Sequence, residues 1–406
     1  SYSEEAFQTE ALAVKGEYLK NFSNPISKML ERVSDLMYSV HTYKHTTMGF
    51  IEDIEAMPQQ LEYSKIFFDR WYRPEKSVVI LVGDVEPEPT FELVKKYWGD
   101  WERGDYSIDV PVEPPLGGPK YEHMQWDNPT QPWLVMAYRG PAYVPTQKDM
   151  PSLDLISSIY FSDSSELYRQ LVIEDQSVDQ LFAYFPDQKD PGMLLIAARL
   201  TDDAHAVAVR DAINATLVTT RTQLVDANKV EETKSRLRYG FTAQLDNSGS
   251  IGANLASYVQ FFRNPETINE VYATYDSLTA NDLRSTANKY FVDDSRVTFT
   301  LSSDESVPGI DGMSSVDDLV AATGMAEASK AEVVAAEEAV LSVEKPSEAT
   351  PVSFITMPSA SSPLGEVALV VRAGAGCVPD GWKGLAAGTA AMVTEGGAGA
   401  ESGGAS

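Results

Sequence analysis

Residues 111–119, "PVEPPLGGP", hold four prolines and two glycines. No helix or sheet ladder tolerates that density, because proline lacks the N–H that a ladder needs and glycine loses the most entropy when it is fixed. The chain must fold as one thing before this break and another after it. Before it, apolar residues recur at three- and four-residue steps from Glu4 to Leu19 and from Pro25 to Tyr38, with "NFSNP" between. That spacing predicts two successive helices. A third helix is predicted in "PQQLEYSKIFFDRWYRP", then a strand in "SVVILVGDV" and a helix in "PTFELVKKYWGDW".

Beyond the break, strands are predicted at "YEHMQW", "PWLVMAYRG", "QLFAYFP" and "GMLLIAARL", with helices at "MPSLDLISSIYF" and "SELYRQLVIE". Amphipathic helices follow over Asp203–Thr222, Asn228–Leu245 and Ile251–Phe262 and on to Tyr290, and "RVTFTLS" closes the unit as a strand. Residues 120–302 are thus expected to form an α+β domain with its helices largely in one block. Residues 303–350 change character: a loop-like stretch gives way to Ala/Glu-rich sequence with one weak helix. A connection of that length reads as a linker between halves. After it, "EVALVVRAGAG" restarts as a strand and "PDGWKGLAAGTAAMVTEGG" begins a helix. One strand and one helix cannot bury a core, so 351–406 reads as the truncated start of a further unit.

Composition excludes some functions. Sixty acidic against 32 basic residues give a formal net charge of −28, which repels phosphate backbones and anionic membrane surfaces. Nucleic acid is not an expected partner. No apolar run approaches the roughly 20 residues that a membrane span requires. Cys377 is the only cysteine, so neither an intrachain disulfide nor a thiolate metal cluster can form. No signal peptide opens the chain, and Ser1 leads straight into a predicted helix without an initiator Met, so the biological start is expected upstream.

In "TEALAVKGEYLKNFSNP", Glu10 and Glu17 stand seven residues apart on the first predicted helix. Seven steps of about 100° bring them within roughly 20° of one face, with about 10.5 Å between them along the axis. One ion cannot be held symmetrically by both; the natural arrangement has one carboxylate as ligand and the other orienting its neighbours. Periodicity alone favours a solvated acidic face. "HTYKH" has the histidine spacing of an inverted zinc motif in His41 and His45, but Lys44 occupies the position of the glutamate base. An ammonium cannot take a proton from a metal-bound water, so these read as surface or packing histidines. His123 and His205 stand alone and read as structural. Neither a phosphate-binding glycine motif nor a G-x-S-x-G nucleophile elbow is present.

In order and spacing, "TEALAVKGEYLKNFSNP", "HTYKHTTMGFIEDI", "FFDRWYRPEKSVVILVGDVEPEPTFELVKKYWGDW" and "VALVVRAGAGCVPDGWKGLAAGTAAM" resemble the pitrilysin/insulinase family of inverted zinc metallopeptidases, related to the mitochondrial processing peptidases. The likeness runs over about 7–302 and again over 352–394. It implies an α+β fold of repeated domains, with antiparallel or mixed sheets covered by helices and two halves closing as a clamshell, incomplete here. By that likeness residues 1–110 are the later part of the first, metal-binding domain, 120–302 the second domain of the same half, and 351–406 the start of a second half.

The resemblance places Glu17 at the third zinc ligand and Glu10 at a supporting glutamate. The two histidine ligands and the general base, in an H-x-x-E-H expected upstream of Ser1, are not in this sequence. In the second half, Ala387, Ala391 and Ala390 fall on the positions of the two histidines and the glutamate, which implies a non-catalytic half. The parent protein is then expected to be a Zn2+-dependent metalloendopeptidase acting on peptides or unfolded protein, and this chain alone is expected to be inactive. Its expected partners are that substrate, the preceding segment and the remaining second half. The alternative is a non-catalytic binding or assembly subunit with the same fold. The compartment is open, with the bacterial periplasm as the expectation.

Overall fold

The computed structural model describes residues 2–310, 315–324, 355–358 and 366–371, the last two stretches as backbone. The chain divides into two compact units, 1–114 with 349–406, and 115–348. The helices of the first unit are α1 (Glu4–Asn21), α2 (Pro25–Met37), the short α3 (Ile51–Ala56) and α4 (Leu61–Trp71); strand β1 (Ser77–Gly83) and α5 (Pro87–Trp98) follow. Phe7, Ala11, Val14 and Tyr18 form a buried stripe on α1 at the spacing of one helix face, and they pack with Ile54, Met57, Phe67 and Trp71. "NFSNP" breaks the first two helices because Asn24 caps α2 through its side chain and Pro25 takes the first turn, where its missing N–H costs nothing.

Residues 99–114 carry no regular element yet are anchored to this unit. Gly104 N–H donates to the Glu75 carboxylate at 3.1 Å, the Tyr106 ring meets Trp71 edge-on, and Lys76 donates to the Tyr106 carbonyl. The Glu113 carboxylate receives the backbone N–H groups of Ser39, Val40 and His41 and the Ser39 hydroxyl, all between 2.7 and 2.9 Å. A proline-rich segment cannot form a ladder, so side chains hold it instead.

The second unit is α+β with a mixed sheet. Its strands are β2 (Lys120–Gln125), β3 (Trp133–Arg139), β4 (Val178–Tyr184), β5 (Met193–Leu200) and β6 (Arg296–Ser302), in the order β2-β6-β3-β5-β4. Only β2 and β6 run parallel; Val135 of β3 faces Ala197 of β5 on one side and Phe299 of β6 on the other. The helices are α6 (Asp149–Tyr160), the single turn α7 (Glu166–Tyr168), α8 (Ala206–Thr222), α9 (Ala227–Ala243), α10 (Ser248–Phe262), α11 (Thr267–Ser277), α12 (Ala280–Tyr290) and α13 (Val316–Ala322). One core joins Leu134, Met136 and Tyr138 of β3 to Leu153 and Ile156 of α6 and to Ile213 and Leu217 of α8.

Two features differ from the sequence reading. Val307, Ile310, Val316 and Val320 belong to this core, although the linker was expected to begin at 303. Polar groups fix α13 there: Arg221 pairs with Asp317 at 2.6 Å, and the buried Asp293 accepts from Ser315 at 2.5 Å and from the Asp317 N–H at 3.0 Å. And "SELYRQLVIE", expected as one helix, is a single α-turn followed by a π-helical turn over Arg169–Glu174.

From the region read as a further unit, β7 (Ile355–Pro358) runs parallel to β1 and β8 (Glu366–Val371) antiparallel to it, giving the sheet order β7-β1-β8. The strand expected at "EVALVV" is therefore present, and its partner is in the first unit. Cys377, Ala387, Ala390 and Ala391 lie outside the described residues.

Candidate metal and substrate site

Helix α1 is built to hold its rotation. Ser3 caps it by accepting the Ala6 N–H at 3.2 Å, Glu4 and Glu5 sit in the first turn and Lys20 in the last, each matched to the helix dipole. With Phe7, Ala11, Val14 and Tyr18 turned inward, Glu10 and Glu17 lie about 70–90° round the helix from the buried stripe. Glu10 is half-buried and Glu17 exposed. Neither has a hydrogen-bond or ion-pair partner among the described residues. Leu12 and Leu19 on the same helix are 61% and 54% exposed, and a Cβ at Gly16 would meet open space. Apolar residues on more than one face are the pattern of a helix that other structure covers.

A third carboxylate on this wall was not singled out from sequence. Glu31 of α2 is buried, accepts the Tyr18 hydroxyl at 3.0 Å and pairs with Lys28, whose ammonium lies 5.5 Å from the Phe22 ring centre. Its charge is already neutralised, so it fixes α2 against α1 and is not a spare ligand. The only sequence signal is an acidic residue between the apolar positions Met29 and Val33.

The histidines do not join the glutamates. His41 caps a single 3-10 turn over Thr42–Lys44, its Nδ1 accepting the Tyr43 N–H at 3.0 Å, and its ring meets Tyr43 at 4.3 Å between centres. His45 lies 2.8 Å from the Thr46 carbonyl through Nδ1 and edge-on to Phe50. Both are buried. His123 bridges the Thr300 hydroxyl and the Asp304 carbonyl, and His205 meets the Thr201 hydroxyl. Among the described residues no three His, Cys, Asp or Glu side chains stand close enough to hold a metal ion. Zinc needs three protein ligands even in an open catalytic site. One solvent-facing carboxylate suits the chemistry of a single ligand position, but the described residues by themselves do not fit the ion.

The second unit offers a cleft of about 530 Å³ between α6, the sheet edge β4, α9 and α11. Asp154 lies in it and accepts the Tyr275 hydroxyl. Burial pushes the Asp154 carboxyl up to about 7, the Tyr275 hydrogen bond opposes this, and the negative charge of Asp187 adds to the rise. The same surroundings drive the Tyr275 hydroxyl far above its ordinary range.

Comparison with known proteins shows what this chain is similar to. Residues 61–237 match the model described as "Peptidase M16 inactive domain". The Zinc protease PqqE of Helicobacter pylori is 26% identical over 283 residues, which span 69% of this chain and 63% of that protein. The solved structure of a protease from Helicobacter pylori superimposes with a TM-score of 0.67 at 24% identity, covering 74% of this chain and 73% of that one. The periplasmic protease PqqL from Escherichia coli gives 0.60 at 15%, covering 79% and 37%. Among the described residues no helix is long and apolar enough to cross a membrane. The matched domain model, the zinc protease relative and the α+β architecture all support the likeness of this chain to the pitrilysin/insulinase family of peptidases.

Proposed function

We propose that this chain is part of a zinc-dependent endopeptidase that cleaves peptides or unfolded protein, and that it contributes Glu17 as one metal ligand with Glu10 in support. The remaining ligands and the general base come from residues outside this sequence. The observation that carries this is α1 itself: a capped, firmly packed helix that presents two carboxylates on one face, unpartnered among the described residues. The relative named as a zinc protease supports the same reading. A periplasmic setting is part of the proposal and draws support from the periplasmic neighbour of like fold.

The second reading, a non-catalytic binding or assembly subunit, is favoured by the description of the matched domain as inactive. Hydrolysis of an unfolded protein such as casein separates them, measured on the protein together with whatever sequence precedes Ser1 in its gene. Chelator-sensitive cleavage that drops at least 100-fold in Glu17→Gln is the expected result. Cleavage indifferent to chelator, or to Glu17→Gln, overturns it.

A further inference from the structure

Asp154 stands mid-helix in α6, whose Met150, Leu153, Leu155, Ile156 and Ile159 are all buried. Its only hydrogen-bond partner is the Tyr275 hydroxyl, and no cation pairs with it among the described residues. Asp154 is half-buried in the cleft, and a carboxylate held partly out of water without a counter-ion is a place where a cationic ligand can supply the missing charge. The surroundings fit that reading. Phe161, Tyr168, Phe185 and Tyr275 line the cleft with Asp154, so that rings and a carboxylate converge on one space, and β4, which borders it, pairs on one side only. Rings around a carboxylate favour a cation, through the ring quadrupole and the ion pair together.

We infer that this cleft is a subsite for the lysine or arginine side chain of a bound peptide, with Asp154 as counter-ion and Tyr275 holding the carboxylate in place. This rests on the peptide-binding reading above and adds a charge preference to it. The formal net charge of −28 favours the same ligand, since it draws cationic peptides toward the chain. Asp163 at the cleft wall adds a second negative charge for the approaching cation.

The test uses the 406-residue chain and three blocked pentapeptides alike except for a central lysine, arginine or norleucine, with affinities from calorimetry. The lysine or arginine peptide should bind at least tenfold more tightly than the norleucine one, and Asp154→Asn should erase the difference. Ser157→Lys, which tethers an ammonium at the cleft wall, should weaken the cationic peptides and spare the norleucine peptide; it keeps the test alive if Asp154→Asn fails to fold. Equal binding of all three peptides by the wild type, or a preference that survives both substitutions, overturns the subsite while leaving peptide binding intact. Failure of every peptide to bind removes the peptide reading and the subsite together.

Discussion

Glu113 shows what a single side chain does in the proline-rich connection. Burial would raise its pKa, but three backbone N–H groups and the Ser39 hydroxyl outweigh that and hold the carboxyl near pH 2, to about 2. A carboxyl lowered in the folded state contributes its stability in full above its ordinary pKa near 4.5, and loses it as pH falls from there through about 2. Glu113→Gln should therefore cost about 1 kcal/mol at pH 7, a low value for charged hydrogen bonds because solvent screens the site. Its urea midpoint should converge with that of the wild type as pH drops below 4.5; a gap that stays constant with pH would contradict the assignment. Nothing in "PVEPPLGGP" marks Glu113 as an anchor, since its partners are some seventy residues away. Glu31 and Asp154 were hidden for the same reason: what makes each notable is the surroundings that tertiary packing imposes, burial for Glu31 and the cleft for Asp154. Glu10 and Glu17 were legible through the resemblance and not through periodicity, and their roles stand as a proposal.

At the scale of elements, local chemistry wrote the boundaries that could be read. Thr279 and Asp282 form a reciprocal capping box at the start of α12: the Asp282 N–H meets the Thr279 hydroxyl at 3.3 Å, and the Thr279 N–H meets the Asp282 carboxylate at 2.8 Å. Thr279→Ala should cost about 1 kcal/mol in chemical denaturation, and a loss under 0.3 would mean the box is idle. Asp282 also pairs with Lys148 at 3.0 Å, which ties the cap to the start of α6. "NFSNP" and the apolar run of β1 were readable in the same way, because each depends on neighbours in sequence. The π-helical turn after Tyr168, the docking of α13 and the pairing of β8 with β1 were not. An apolar strand announces that it will pair, but not with which edge, and a short helix is fixed by remote partners such as Arg221.

At the scale of the molecule, the two compact units and the mixed sheet of the second accord with the α+β fold that the sequence implied. The curated relative aligns over 63% of its own length, so the activity, substrates and partners of a whole protein remain proposals. The account rests on α1 offering Glu17 to a zinc ion completed by residues outside this sequence. Zinc affinity by competition with a chelator, on the protein with the sequence that precedes Ser1 in its gene, tests this most directly. The expected result is one tightly held zinc per chain, lost at least 100-fold with Glu17→Gln, weakened about 10–100-fold with Glu10→Gln, and absent from the 406-residue chain alone. Zinc held equally well by the wild type and by Glu17→Gln would contradict it.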